Sequence, residues 1–128
     1  YTTWLSDENR PILSNDIFSK AVKPILDKKE KVCLVVMDAM RLDQFMSLHP
    51  ILAENFRIEI NPSVSLLPSA TPFSRNAIFS GLFPDQFCKK YPEQLEAMNL
   101  DKGSLNRLES QFLKDQLKRN NLSNISHH

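Results

Sequence analysis

Two stretches of the chain carry residues whose types and spacing could do chemistry. The first is Asp38-Ala39-Met40-Arg41-Leu42-Asp43. Asp38 follows the apolar run Val32-Cys33-Leu34-Val35-Val36-Met37, whose β-branched composition predicts a strand. In an open α/β sheet the carboxyl end of a strand is where ligands bind. A carboxylate there is costly unless something pairs with it. An ion pair with Arg41 would satisfy Asp38; so would a metal ion or a transferred phosphoryl group. The second stretch is Pro68-Ser69-Ala70-Thr71-Pro72-Phe73-Ser74-Arg75-Asn76. Thr71 reads as the N-cap of a helix and Pro72 as its first residue. A hydroxyl among unpaired backbone N–H groups, at the positive end of a helix dipole, suits a bound phosphate or a developing alkoxide. Arg75 lies one turn further on, on the same face. Capping alone would also account for Thr71.

The elements that must position these residues follow from periodicity. Ser14 reads as the N-cap of a helix over 15–27, with Ile17, Phe18, Ala21, Val22, Ile25 and Leu26 at helical spacing and Pro24 as a kink. The run 32–37 has no polar alternation and predicts a strand buried on both faces, central in a parallel sheet. A helix is expected from 41 to 55, broken near Pro50, and a second, more exposed strand over 57–60. Residues 62–68 read as a loop. The third helix opens at Thr71 with Phe73, Ala77 and Ile78 on its buried face, and Gly81 stops it. A short helix over 92–98 and an amphipathic one over 104–119 follow, the latter with Leu105, Leu108, Phe112, Leu113 and Leu117 on one side. The order predicts an α/β sandwich, a central parallel sheet flanked by helices. Only two or three strands fit.

Composition narrows the function. The chain has 128 residues and a net charge of +1, from 16 Lys and Arg against 15 Asp and Glu. That length reads as one domain, spanning 1–128, and that balance argues against a strongly basic nucleic-acid-coating protein. Cys33 and Cys88 form no disulfide framework, so a reduced, cytoplasmic setting is expected. No apolar run reaches the ~20 residues of a membrane span. With Gly81 and Gly103 the only glycines, there is no glycine-rich phosphate loop. The chain opens without Met and ends at His127-His128, which suggests a piece of a longer protein; the His pair reads equally as native sequence or a tag remnant.

Taken together, the two stretches resemble the N-terminal part of the alkaline phosphatase superfamily. A D-x-x-R-x-D pattern at a strand end is followed, 33 residues after Asp38, by Thr71 opening a helix. Thr71-Pro72-Phe73-Ser74-Arg75 stands where sulfatases carry C-x-P-S-R and nucleotide phosphodiesterases a Thr. Within the superfamily the chain is similar to the PglZ domain, as found in PorX-like response regulators. The likeness runs through Arg10-Pro11-Ile12-Leu13-Ser14, Val22-Lys23-Pro24, residues 32–45, Pro50-Ile51-Leu52 and residues 67–81. It implies an alkaline-phosphatase-like fold, present in part, and a site with two zinc ions. Asp38 would ligate metal, Thr71 would bind metal and attack phosphorus, and Arg75 would face the phosphate. The other ligands in that family are later Asp and His residues, including Asp-His pairs. This sequence has no Asp-His pair, and its histidines are His49, His127 and His128. The second half of the site is therefore expected outside these residues, and the 128-residue chain is expected to be inactive alone. The parent protein would be a zinc-dependent phosphodiesterase acting on a nucleotide or oligonucleotide signal. A receiver domain, secretion-system or transcription partners and a homodimer are the further partners this likeness implies.

Two other readings come from different classes. The run into Asp38 superficially resembles a receiver phosphoacceptor strand, but no acidic pair follows an earlier apolar strand, and Met40-Arg41 replaces the usual Met-Pro. A non-catalytic interaction module of the same fold is the alternative. The basic residues Lys114, Lys118 and Arg119 form a short face without interleaved aromatics, which reads as a solvated helix face rather than a nucleic-acid surface.

Overall fold

The structure, a computed structural model, describes Trp4, Asp7, residues 9–93, Glu96 and residues 108–125. The chain divides into two units. One comprises the residues up to Val32 together with those from Ser63 onward; the other is Cys33–Pro62.

The first unit is helical. A 3-10 turn, Ser14–Asp16, runs into a π-helical turn, Phe18–Val22, and then into α1, Lys23–Asp27. The single helix expected over 15–27 is thus three turns of different pitch. Pro24 supplies no N–H to the ladder, and the π turn lies immediately before α1, where such register changes occur. Ser14 does not cap this helix. The backbone N–H of Leu13 donates to Asp16 Oδ2 at 2.9 Å, so Asp16 does that work and leaves the Ser14 hydroxyl for other partners. Helix α3, Thr71–Ser80, follows the loop; α4, Pro84–Lys90, was not anticipated; α5, Glu109–Arg119, ends the described helices. The second unit contains α2, Leu42–Ala53, with Pro50 inside it. Most of the helix expected over 92–98, and residues 104–107 of the one expected over 104–119, lie outside the described residues.

The central parallel sheet is not there. Among the described residues the only β pairing is an isolated parallel bridge between Leu13 and Val64, with Val64 N–H donating to the Ile12 carbonyl at 2.8 Å. Residues 32–37 and 57–60 form no strand. Val35 is 71% exposed and Met37 60%, so this run is not a strand buried on both faces, and the α/β sandwich expectation is overturned. The reason is general: apolar β-branched composition favours an extended backbone, but a strand exists only where a second segment completes its hydrogen-bond ladder.

The first unit buries its apolar surface in neighbouring clusters. Leu13, Leu66 and Ala77 pack with Val64 and Phe83. Phe18, Val22 and Leu117 pack with Leu26, Val32, Leu113 and Leu122. Phe87 and Phe112 stack edge to face with centroids 5.0 Å apart, and Tyr91 packs tilted against both rings. Each such side chain contributes ~1.5–3 kcal/mol when fully buried. Tyr91 donates its hydroxyl to Asp115 at 2.7 Å, and burial first, then that carboxylate, pushes the phenol up to about 12. The result is α3 held between the 3-10 turn on one side and α5 on the other.

Candidate active site

Helix α3 begins one residue earlier than its sequence suggests. Ala70 is the N-cap, with φ −61° and ψ 142°, and Thr71 is the first helical residue. The Ala70 carbonyl accepts from both Phe73 N–H and Ser74 N–H, each at 3.0 Å. Pro72 has no N–H. The helix start is therefore a sparser cradle for an anion than four open amides would be. What it offers is the dipole and the Thr71 hydroxyl. At the other end Gly81 adopts φ 64° and its N–H donates to the Ala77 carbonyl at 2.8 Å, the stop the sequence predicts. Gln116 on α5 closes that end: its amide nitrogen donates to the Phe79 carbonyl at 2.8 Å and its oxygen accepts from Gly81 N–H at 3.3 Å. Arg119 donates to the Ser80 carbonyl.

Arg75 sits on α3 one turn beyond Thr71, as expected, and its guanidinium is engaged by Glu109. Nε donates to Oε1 at 2.5 Å and Nη2 to Oε2 at 3.1 Å. The group also lies over the Phe79 ring, 6.0 Å from its centroid. Any anion that Arg75 meets it must meet beside, or in exchange with, that carboxylate.

Asp38 lies in an exposed turn after the run 32–37, not at a strand end, and Ala39 next to it has φ 54°. Asp38 belongs to the Cys33–Pro62 unit; Thr71 and Arg75 belong to the other. Arg41 binds Asp43, with Nε donating to Oδ1 at 2.9 Å, and that hydrogen bond holds the Asp43 carboxyl below its usual range. The Arg41 N–H is met by Gln44 Oε1 at 3.0 Å, so Gln44 serves the start of α2. His49 stacks edge to face with Phe45 at 6.0 Å. Among the described residues no three His, Cys, Asp or Glu side chains group so as to hold a metal ion. These residues therefore do not fit a complete two-zinc centre.

Sequence reasoning missed a chain of hydroxyls at the first turn of α3. Ser14 Oγ lies 3.1 Å from Ser74 Oγ, and Ser74 Oγ lies 2.8 Å from Ser65 Oγ. Ser14 also accepts from the buried Leu66 N–H at 3.1 Å. Asn76, 2% exposed, donates to the Pro72 carbonyl at 2.7 Å. Ser74 lies inside the block 67–81 that carries the likeness, but Ser14 stands 60 residues from it in sequence, where no local signal reaches.

No helix of the described residues is long and apolar enough to cross a membrane. A comparison with curated proteins finds no match. A family model described as the BREX system PglZ alkaline phosphatase-like domain matches residues 17–123. That span takes in α1 to α5, Asp38, the Thr71-to-Arg75 motif and Glu109. The chain therefore belongs to the PglZ family, an alkaline phosphatase-like family of phosphoesterase type.

Proposed function

We propose that this chain carries the nucleophile-bearing part of a cytoplasmic, zinc-dependent phosphodiesterase that acts on a nucleotide or oligonucleotide. The observation that supports this reading best is Thr71 at the first position of α3, in a family whose members are alkaline phosphatase-like. Thr71 Oγ would bond to phosphorus as the bond to the leaving alkoxide breaks. The hydroxyl proton leaves with the alkoxide as an alcohol. Water then cleaves the Thr71 Oγ–P bond of the resulting threonyl phosphodiester, restores the Thr71 hydroxyl and releases a monoester. The start of α3 favours the negative charge of the phosphoryl group. Arg75 is the cation for the substrate, in exchange with Glu109. Two zinc ions are the cofactor this reading expects by family likeness, with Thr71 among their ligands. A receiver partner and a role in the control of secretion belong to the same reading by family likeness.

The test uses the full-length protein that contains this chain, with bis-p-nitrophenyl phosphate as substrate. Hydrolysis abolished by chelator and restored by zinc, and lost in Thr71→Val with the fold retained, is the expected result. Full turnover in folded Thr71→Val would refute the assignment. A non-catalytic module of the same fold is the second reading, and the Glu109 grip on Arg75 favours it: no hydrolysis by the zinc-loaded wild type would decide for it.

A further inference from the structure

Glu109 holds Arg75 by one edge of its guanidinium. Nε donates to Oε1 at 2.5 Å and Nη2 to Oε2 at 3.1 Å. These two N–H groups form a fork that fits one carboxylate or one phosphoryl group, with two parallel hydrogen bonds in either case. Glu109 thus meets Arg75 in the geometry that a substrate oxyanion would use. The same edge does not take both at once.

The surroundings suit an exchange. The two side chains are 25% and 17% exposed, so the pair borders solvent, where ion pairs are weak enough to be replaced. Glu109 is the first residue of α5, and the N-cap before it, Leu108, makes no side-chain capping bond. A carboxylate in the first turn is favoured by the positive end of its own helix. Glu109 therefore keeps a favourable place when Arg75 lets go. Arg75 in turn lies over the ring of Phe79, four residues on along its own helix, a contact that does not involve Glu109.

We propose that Glu109 is an internal competitor for the phosphoryl group: it occupies Arg75 in the free chain, and a phosphate that binds Arg75 displaces it and with it a tie between α3 and α5. This deepens the reading of Arg75 as the cation for the substrate and rests on it for its consequence in turnover. The exchange at the guanidinium is a property of the 128-residue chain itself. By linkage, the grip of Glu109 weakens the anion by the same factor as the anion weakens the grip.

Inorganic phosphate is the probe, added at constant ionic strength. In the wild-type 128-residue chain, NMR follows the Arg75 Nε–H proton and the Glu109 carboxylate carbon. Both should move with one midpoint. Glu109→Gln keeps the size and an acceptor but removes the competing charge, so phosphate should bind it about tenfold more tightly. Arg75→Gln should abolish the effect. In the zinc-loaded full-length protein Glu109→Gln should lower KM for bis-p-nitrophenyl phosphate about tenfold, with kcat changing less. Phosphate that moves neither wild-type reporter would overturn the proposal. So would phosphate that moves Arg75 and leaves Glu109 in place, because the anion would then sit beside the carboxylate. These wild-type outcomes decide even where Glu109→Gln fails to fold. Exchange in the 128-residue chain with KM unchanged in Glu109→Gln would instead keep the competitor and remove Arg75 as the cation for the substrate.

Discussion

Arg75 on α3 and Glu109 on α5 are 34 residues apart in sequence and share a two-pronged ion pair, 2.5 Å and 3.1 Å across its hydrogen bonds. The side chains are 25% and 17% exposed, so the pair is neither a solvated surface contact nor a fully buried one. Surface pairs contribute ~0–1 kcal/mol, while breaking a buried one costs ~3–5. A double-mutant cycle on Arg75→Ala and Glu109→Ala, read by urea unfolding, should therefore give a coupling of about 1–2 kcal/mol. A coupling indistinguishable from zero would mean that the pair does not tie α3 to α5.

Asp16 makes stability depend on acid. Burial pushes its carboxyl up, but hydrogen bonds from Arg10 and from Leu13 N–H, with the Arg10 charge, outweigh that and leave it below the ordinary 3.8. The unfolded chain then takes up this proton more readily than the folded one. The stabilisation is complete above the ordinary value and is lost as pH falls through the folded value. Asp16→Asn keeps an acceptor for Leu13 N–H and removes the charge that pairs with Arg10. The stability gap between wild type and Asp16→Asn should be widest near neutral pH and close on acidification. A gap that stays constant with pH would show that the charge contributes nothing.

Gly81 is the position most sensitive to a single methyl. Its φ of 64° is strained for any residue with a Cβ, and a Cβ there would run into the Gln116 carboxamide. The left-handed backbone costs ~1–2 kcal/mol for alanine. Displacing Gln116 also breaks its bond to the Phe79 carbonyl. Gly81→Ala should lose about 2–3 kcal/mol in total. A loss well under 1 kcal/mol would mean that Gln116 moves aside without consequence.

What could be read from the sequence was local. Helix α3 was legible because Pro72 marks its start, Gly81 its end, and Ala77 its buried face. The Phe112 and Leu117 spacing likewise marked α5. The run 32–37 was misread because its composition describes a preference, whereas a sheet is a pairing with residues elsewhere. The site shows the same division. Thr71 was placed within one residue of its position in the helix. Glu109 beside Arg75, and Ser14 beside Ser74, could not be found, because each pair is assembled by the packing of α5 or the 3-10 turn onto α3. Ser14 lies inside the 3-10 turn and not before it, and its hydroxyl meets Leu66 N–H, a partner 52 residues away that no local pattern announces.

The start of α3 allows stability and anion binding to be separated at one residue. Ala70 is the N-cap and has no side-chain oxygen to offer. Its φ and ψ already suit a capping residue. Pro72 has no N–H, so a new side-chain acceptor would serve Phe73 N–H alone, and the gain should fall at the low end of the usual ~0.5–2 kcal/mol. Ala70→Ser and Ala70→Asp should both raise the unfolding free energy, the aspartate somewhat more because its charge faces the positive end of the dipole. Their effects on a phosphodiester should part. Serine is neutral and leaves the field at Thr71 nearly unchanged. Aspartate places a negative charge where the phosphoryl group would sit, and should raise KM in the full-length protein by about tenfold or more. Equal KM values for the two variants, with both stabilised, would show that the substrate does not approach the start of α3, and would remove Thr71 from the reaction.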